Sequence, residues 1–351
     1  MRWFLLESRF FLSAEPKEFM VKKVIIILGI FLAVIFIGAY LILQTVPSKE
    51  PKIFGVTFSE PFAKELGLDW QKAYEAIFND LGIRSVRIPV YWPEVEPEED
   101  KFVFDDIDWQ LEKAEEYNAK VILVIGRKVP RWPECFEADW AKNLPESEKQ
   151  KLILGVSKKI IERYKDNPAV WAWQVENEPF LSFGECPKLD KTFLDEEISL
   201  VRGLSDKPVI VSDSGEFGTW FQAAKRGDIF GSTLYRYVYT NFFGYITYPL
   251  PPSFFRLKQG FLKLFVGEKP MIVVELQAEP WMPRTLRDIP IEEQFTHFNP
   301  ERFREILQYI KGTGFDTFYF WGAEWWYWLK MQGYLEMWDI AKETVSNTNT
   351  R

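Results

Sequence analysis

The sequence predicts an α/β fold: a (β/α)8 TIM barrel preceded by a single N-terminal transmembrane helix. Three observations carry that prediction. From residue 52 onward, short apolar runs alternate with amphipathic ones, giving eight strand-then-helix units over about 295 residues. Strict alternation implies a parallel sheet, and eight units at this length point to a closed barrel. The turn after the first strand, FSEPFAKE, has no glycine before Gly67, whereas a doubly wound open sheet usually turns there on glycines. Finally, residues 24–43, VIIILGIFLAVIFIGAYLIL, are uncharged and long enough to span a bilayer.

The elements follow in order. KIFGVTF reads as the first strand, and DWQKAYEAIFNDLG as a helix with Ala73, Ile77 and Leu81 in phase, closed by Gly82. SVRIPVYW is the second strand. DDIDWQLEKAEEYNA places Ile107, Leu111 and Ala114 on one face behind acidic residues suited to a helix start. KVILVIG has no polar alternation, as a strand buried on both faces should. KLILGVSKKIIERYKD is a helix and PAVWAWQVENEP the fourth strand. LDEEISLVRGL, KPVIVSDSG, GDIFGSTLYRYVY and KPMIVVELQAEPW continue as a helix and strands five to seven. NPERFREILQYIKGTG is a helix with Phe303, Ile306, Leu307 and Ile310 inward. DTFYFWGAEWW is the eighth strand and YLEMWDIAKETV the last helix. The segment between strands six and seven carries Phe254, Leu257, Phe261, Leu262 and Phe265 among Arg256, Lys258 and Lys263, with Ser253 as its cap. It reads as the sixth barrel helix, with a basic amphipathic helix on a membrane surface as the sharper alternative.

The expected domains are a short cytoplasmic N-terminus at 1–23, a signal anchor at 24–43, a linker at 44–51, the barrel at 52–346 and a tail at 347–351. Lys22 and Lys23 before the apolar run keep the N-terminus inside and export the rest. A cleaved signal peptide is the rival, but its apolar region is usually shorter. Met20 is an alternative start. Two loop cysteines, Cys135 and Cys186, suit an exported domain and are expected to pair.

Composition narrows the chemistry. A net charge of -8 argues against a nucleic-acid partner. The single histidine, His297, a surface residue, leaves little room for zinc sites or Ser-His-Asp triads. No metal or organic cofactor is expected, and catalysis falls to carboxylates, tyrosine or lysine. The 15 Trp residues suit either core or sugar stacking.

In a barrel the chemistry sits at the strand C-terminal ends. Read in order, these offer Arg87, Tyr91 and Trp92, then Gly126 and Arg127. Next come Glu176, Asn177 and Glu178, then Asp213 and Glu216, then Tyr235 and Arg236. The last two offer Glu275, Gln277 and Glu279, then Trp321 and Glu324. Two facing carboxylates of this kind are the equipment of a retaining glycosidase. Period-two alternation puts Glu176 and Glu178 on one face, so the pattern does not choose between them. Glu94, Glu216, Glu279 and Glu324 read as loop charges.

Residues 53–345 resemble a clan A glycoside hydrolase of the family-5 cellulase type. The motif is Asn177-Glu178-Pro179 ending strand four, with Glu275 ending strand seven and R-I-P-V-Y-W as strand two. The resemblance implies that Glu178 is the acid/base and Glu275 the nucleophile. It implies that Asn177 meets the sugar 2-hydroxyl, that Arg87 and Tyr235 hold the nucleophile, and that Trp321 forms the sugar's floor. The family's histidine after strand three is replaced by Gly126-Arg127, and that before the strand-six tyrosine by Thr233. Trp92 and Arg127 are added as substrate contacts. Trp132, Trp281, Trp325 and Trp326 are open between subsite and core. The expected function is retaining hydrolysis of an extracytoplasmic β-linked saccharide by a membrane-anchored monomer. A transglycosylase using the same pair, or an inactive glycan-binding barrel, is the alternative.

Overall fold

A computed structural model describes residues 17–44 and 49–349. The chain divides into two compact units, 1–47 and 48–351. In the first, Lys17–Gln44 forms one helix of 28 residues. Its stretch Val21–Gly38 is long and apolar enough to cross a membrane, and an N-terminal signal sequence has the same character. The expected span lies within this helix. Residues 1–16, most of the expected N-terminal segment, lie outside the described residues, as do 45–48 of the expected linker.

The second unit is a closed barrel of eight parallel strands: β1 (Ile53–Thr57), β2 (Ser85–Pro89), β3 (Lys120–Ile125), β4 (Val170–Val175), β5 (Val209–Asp213) and β6 (Ile229–Leu234). The hairpin strands β7 (Tyr237–Thr240) and β8 (Gly244–Thr247) stand outside it, and β9 (Met271–Gln277) and β10 (Thr317–Trp321) complete it. Around the barrel the order is β1-β10-β9-β6-β5-β4-β3-β2. Each strand is buried on both faces, which is why its sequence reads as a continuous apolar run. In β3, Val121, Leu123 and Ile125 pack outward against the helices, while Ile122 points inward with Ala172, Ile210, Val274 and Tyr319. The inner layer is tight: a Cβ on Gly55 would lie 2.6 Å from the Tyr319 ring.

The helices follow their caps. Asp69 accepts from the Lys72 amide to start Trp70–Asn79, and Asn299 accepts from Arg302 to start Pro300–Ile310. Asp80, just beyond the first of these helices, accepts from Lys330, Trp338 and Lys342, tying the last two helices of this unit to an early one. Those donors hold its carboxyl far below the ordinary range.

Several boundaries differ from expectation. DTFYFWGAEWW is a strand only as far as Trp321, and its last residues open the helix Ala323–Met331. GDIFGSTLYRYVY is two strands, because Gln277 Oε1 accepts from the amides of Arg236 and Tyr237 (2.9 Å each) and turns the chain out of the barrel. The helix Pro252–Phe265 starts on Pro251, so Ser253 is in the first turn and caps nothing. It buries Phe255 and Leu262 and leaves Phe261, Leu264 and Phe265 exposed. The last helix runs to Asn349, past the expected end of the barrel at 346.

Cys135 and Cys186 are joined by a disulfide across a separation of 51 residues. Replacing both by alanine is expected to lower the unfolding free energy of the full chain by about 4 kcal/mol in the chain-entropy model. Urea unfolding with and without reductant measures this: reductant should destabilise the parent and leave the double variant unchanged.

Candidate active site

The site is built around Arg87, on β2 and fully buried. Its Nη1 donates to Glu275 Oε1 at 2.9 Å, its Nη2 to Asn177 Oδ1 at 2.8 Å and its Nε to Gln174 Oε1 at 2.9 Å. Glu275, on β9, accepts at its other oxygen from the Tyr235 hydroxyl at 2.8 Å. Both carboxylate oxygens thus have a strong donor. Burial and the adjacent Glu275 charge raise the Tyr235 hydroxyl well above its ordinary value, so it stays a donor.

The end of β4 gives Glu176 and Glu178 different surroundings. Both have positive φ, 57° and 43°, a conformation uncommon outside glycine. The turn breaks the alternation of side chains and sends the two carboxyls apart. Glu176 accepts from the amides of Arg127 (2.8 Å) and Lys128 (2.7 Å) and from the buried Glu197 carboxyl, while burial raises its own carboxyl above the ordinary range. It is a structural acceptor. Glu178 accepts instead from Thr233 Oγ1 at 3.0 Å, while its amide donates to Ser212. Burial first, then the charges of Glu275 and Glu134, push the Glu178 carboxyl well above the ordinary range.

Glu134, in the loop after β3, was not anticipated. Its Oε2 accepts from Asn177 Nδ2 at 3.1 Å. Asn177 is therefore held at both ends, with its oxygen toward Arg87 and its amide nitrogen toward Glu134. Burial and the Glu275 charge raise the Glu134 carboxyl to about 8. Gly184 makes room for it, since a Cβ there would stand 2.6 Å from that of Glu134. The sequence signal was its neighbour Cys135: pairing with Cys186 folds this loop against the one after β4. Gln174, Thr233 and Lys128 were also missed. Lys128 Nζ donates to the carbonyls of Glu178 and Leu181.

Two expected contacts are not brought to this centre. Arg127 forms ion pairs with Glu137 (3.1 Å) and Glu146 (2.8 Å). Trp92 is buried, with its indole nitrogen donating to Glu96. Trp321 ends β10, but one face of it is covered: the Arg131 guanidinium lies 4.1 Å from its ring and 3.7 Å from Phe62. Arg131 also pairs with Glu279 and Glu324. Those two glutamates are buried members of a charge cluster, not loop charges. Glu216 Oε1 accepts from the Tyr235 amide. Trp325 and Trp326 are core, Trp132 is 65% exposed, and His297 stacks on Tyr245 of the hairpin. Among the described residues, no cluster of His, Cys, Asp and Glu has the form of a metal site.

Residues 67–207 match the Glyco_hydro_42 family model, described as Beta-galactosidase. Beta-galactosidase BgaA of Clostridium cellulovorans is 22% identical over 174 residues, 44% of this chain and 26% of that protein. Among solved structures, the polyextremophilic beta-galactosidase of the Antarctic haloarchaeon Halorubrum lacusprofundi superposes with a TM-score of 0.58 at 15% identity, covering 85% of this chain and 58% of that one. GH5_18 of Bifidobacterium longum subsp. longum gives 0.56 at 15% identity, over 77% and 69%. The chain thus spans about a quarter of BgaA and a little over half of the haloarchaeal enzyme.

Two measurements test the electrostatics. Replacing Glu275 by glutamine removes a negative neighbour, so the Glu178 carboxyl should titrate lower, by about one pH unit or more, in a carbon-13 NMR titration of labelled glutamate. Stability should also respond to pH. Glu134, raised from 4.5 to about 8, and Glu324, raised to about 7, hold protons in the folded state that the unfolded chain has released. Their contribution is full below about pH 4.5 and is lost as pH rises towards 8. The midpoint temperature of the full chain should fall by several degrees over that window, and E134Q should flatten the upper part of the fall.

By its closed barrel and by the family model that part of it matches, the chain is similar to the (β/α)8 glycoside hydrolases of clan A.

Proposed function

We propose that this protein is a retaining β-glycoside hydrolase, with Glu275 as nucleophile and Glu178 as acid/base. One observation carries the reading: the two carboxyls have opposite surroundings. Glu275 is held at both oxygens by Arg87 and Tyr235. Glu178 meets a neutral hydroxyl and is raised by burial and by Glu275 itself. A carboxyl raised in this way, beside one that accepts two strong hydrogen bonds, suits the acid partner of such a pair.

In the first step, Glu275 attacks the anomeric carbon. The bond to the leaving oxygen breaks as Glu178 delivers its proton. Once Glu275 is esterified its charge is gone, which lowers the Glu178 pKa and suits that carboxylate to take a proton from water. The water then attacks the anomeric carbon and frees Glu275. Asn177, oriented by Arg87 and Glu134, is positioned to donate to the 2-hydroxyl of the sugar.

The relatives' names make a β-galactoside the first sugar to try among β-linked saccharides. The apolar N-terminal helix, read as an anchor, would hold the barrel on the outer side of a membrane as a monomer. The Cys135–Cys186 disulfide supports that side, because such bonds persist in oxidising compartments.

The test uses 2-deoxy-2-fluoro β-glycosides of galactose, glucose, mannose and xylose with a good leaving group, followed by peptide mass spectrometry. The expected label is on Glu275. A label on any other carboxyl would reassign the nucleophile, and turnover with inversion would end the double-displacement reading.

A further inference from the structure

We propose that Trp132, Phe183 and Trp281 form an aromatic subsite that holds sugar units beyond the one whose bond is cut, so that the substrate is a glycan chain. This rests on the glycosidase reading above.

The three rings form one path. Trp132, in the loop after β3, meets Phe183, in the loop after β4, with ring centroids 6.0 Å apart. Phe183 lies 5.5 Å from Trp281, which follows β9, and Trp281 stands edge-on to Tyr235 at 5.2 Å. Tyr235 donates to Glu275. An unbroken series of aromatic side chains thus runs from the outer surface to the nucleophile. It draws on three different loops, all at the C-terminal end of the barrel where the reacting groups lie.

The outer end is exposed and also fixed. Trp132 is 65% exposed, while Trp92, Trp173, Trp220, Trp325, Trp326 and Trp338 are in the core. Its loop is held by the Cys135–Cys186 disulfide and by the Glu185 amide donating to the Pro133 carbonyl at 2.9 Å. Trp132, Phe183 and Trp281 make a contiguous aromatic surface on a braced loop, and a patch of that kind suits a binding surface. The chemistry of the ligand follows from the rings. A pyranose presents a face of C–H groups with slight positive charge, which matches the negative face of an aromatic ring. Phe242 and Phe243, exposed on the hairpin, meet each other at 4.6 Å.

The test uses the full chain in detergent. Aryl β-glycosides first identify the sugar that is cleaved. kcat/KM is then compared for the aryl monoglycoside and for oligosaccharides of the same sugar, two to five units long. The expected result is a rise of about tenfold with length, with the long-to-short ratio falling towards one in W132A and F183A. No rise with length, or an equal loss at every length in W132A, overturns the proposal. If no aryl glycoside is cleaved, the glycosidase reading falls by itself. The subsite is then tested by tryptophan fluorescence with galacto-, cello-, manno- and xylo-oligosaccharides. Saturable quenching that W132A removes supports it, and no quenching overturns it.

Discussion

The buried guanidinium of Arg87 is the constraint on which the rest of this structure depends. Taking a cation out of water costs several kcal/mol, and only well-made hydrogen bonds offset that. Here they come from Gln174 on β4, Asn177 just beyond it and Glu275 on β9, with Thr57 of β1 at 3.3 Å. Those strands are distant in sequence and meet only because the sheet closes. The ion pair therefore needs the barrel. The interior in turn must be polar at its upper end, where Arg87, Gln174 and Ser212 replace the apolar layer of Ile122, Ile210 and Val274 below.

The same constraint separates two kinds of glutamate. Glu275 and Glu176 are both answered by donors at each oxygen, one by side chains inside the barrel, the other by amides of the β3 turn. Glu178 and Glu134 are not. Each is buried and accepts one neutral hydrogen bond, and burial pushes both, and Glu176 as well, above the ordinary carboxyl range. Near neutral pH the centre can therefore hold several carboxyls without holding as many charges.

The barrel was legible in the sequence because strands buried on both faces and amphipathic helices leave strong, distinct periods. All eight strands of the closed sheet fall within runs read from the sequence. What periodicity could not show lies where the chain leaves it. The break between β6 and the hairpin depends on Gln277, about 40 residues away. The separation of Glu178 from Glu176 depends on two positive φ angles, which no side-chain pattern encodes. Arg127 and Trp92 sit at strand ends like the site residues, but nearby acidic groups hold both. Trp residues read alike in sequence, and only packing separates Trp325 and Trp326 from Trp132.

Glu134 ties these points together. It lies between the cis Trp132-Pro133 peptide and Cys135, so one short segment carries an exposed ring, a buried carboxyl and a disulfide. The carboxyl orients Asn177, and Asn177 answers Arg87. The disulfide fixes the segment against the loop that follows Glu178. A displacement of this loop would therefore move the outer aromatic ring and the orientation of Asn177 together. Their common support means that the surface where a chain would stack and the centre where a bond would break are held in one register by the same few residues.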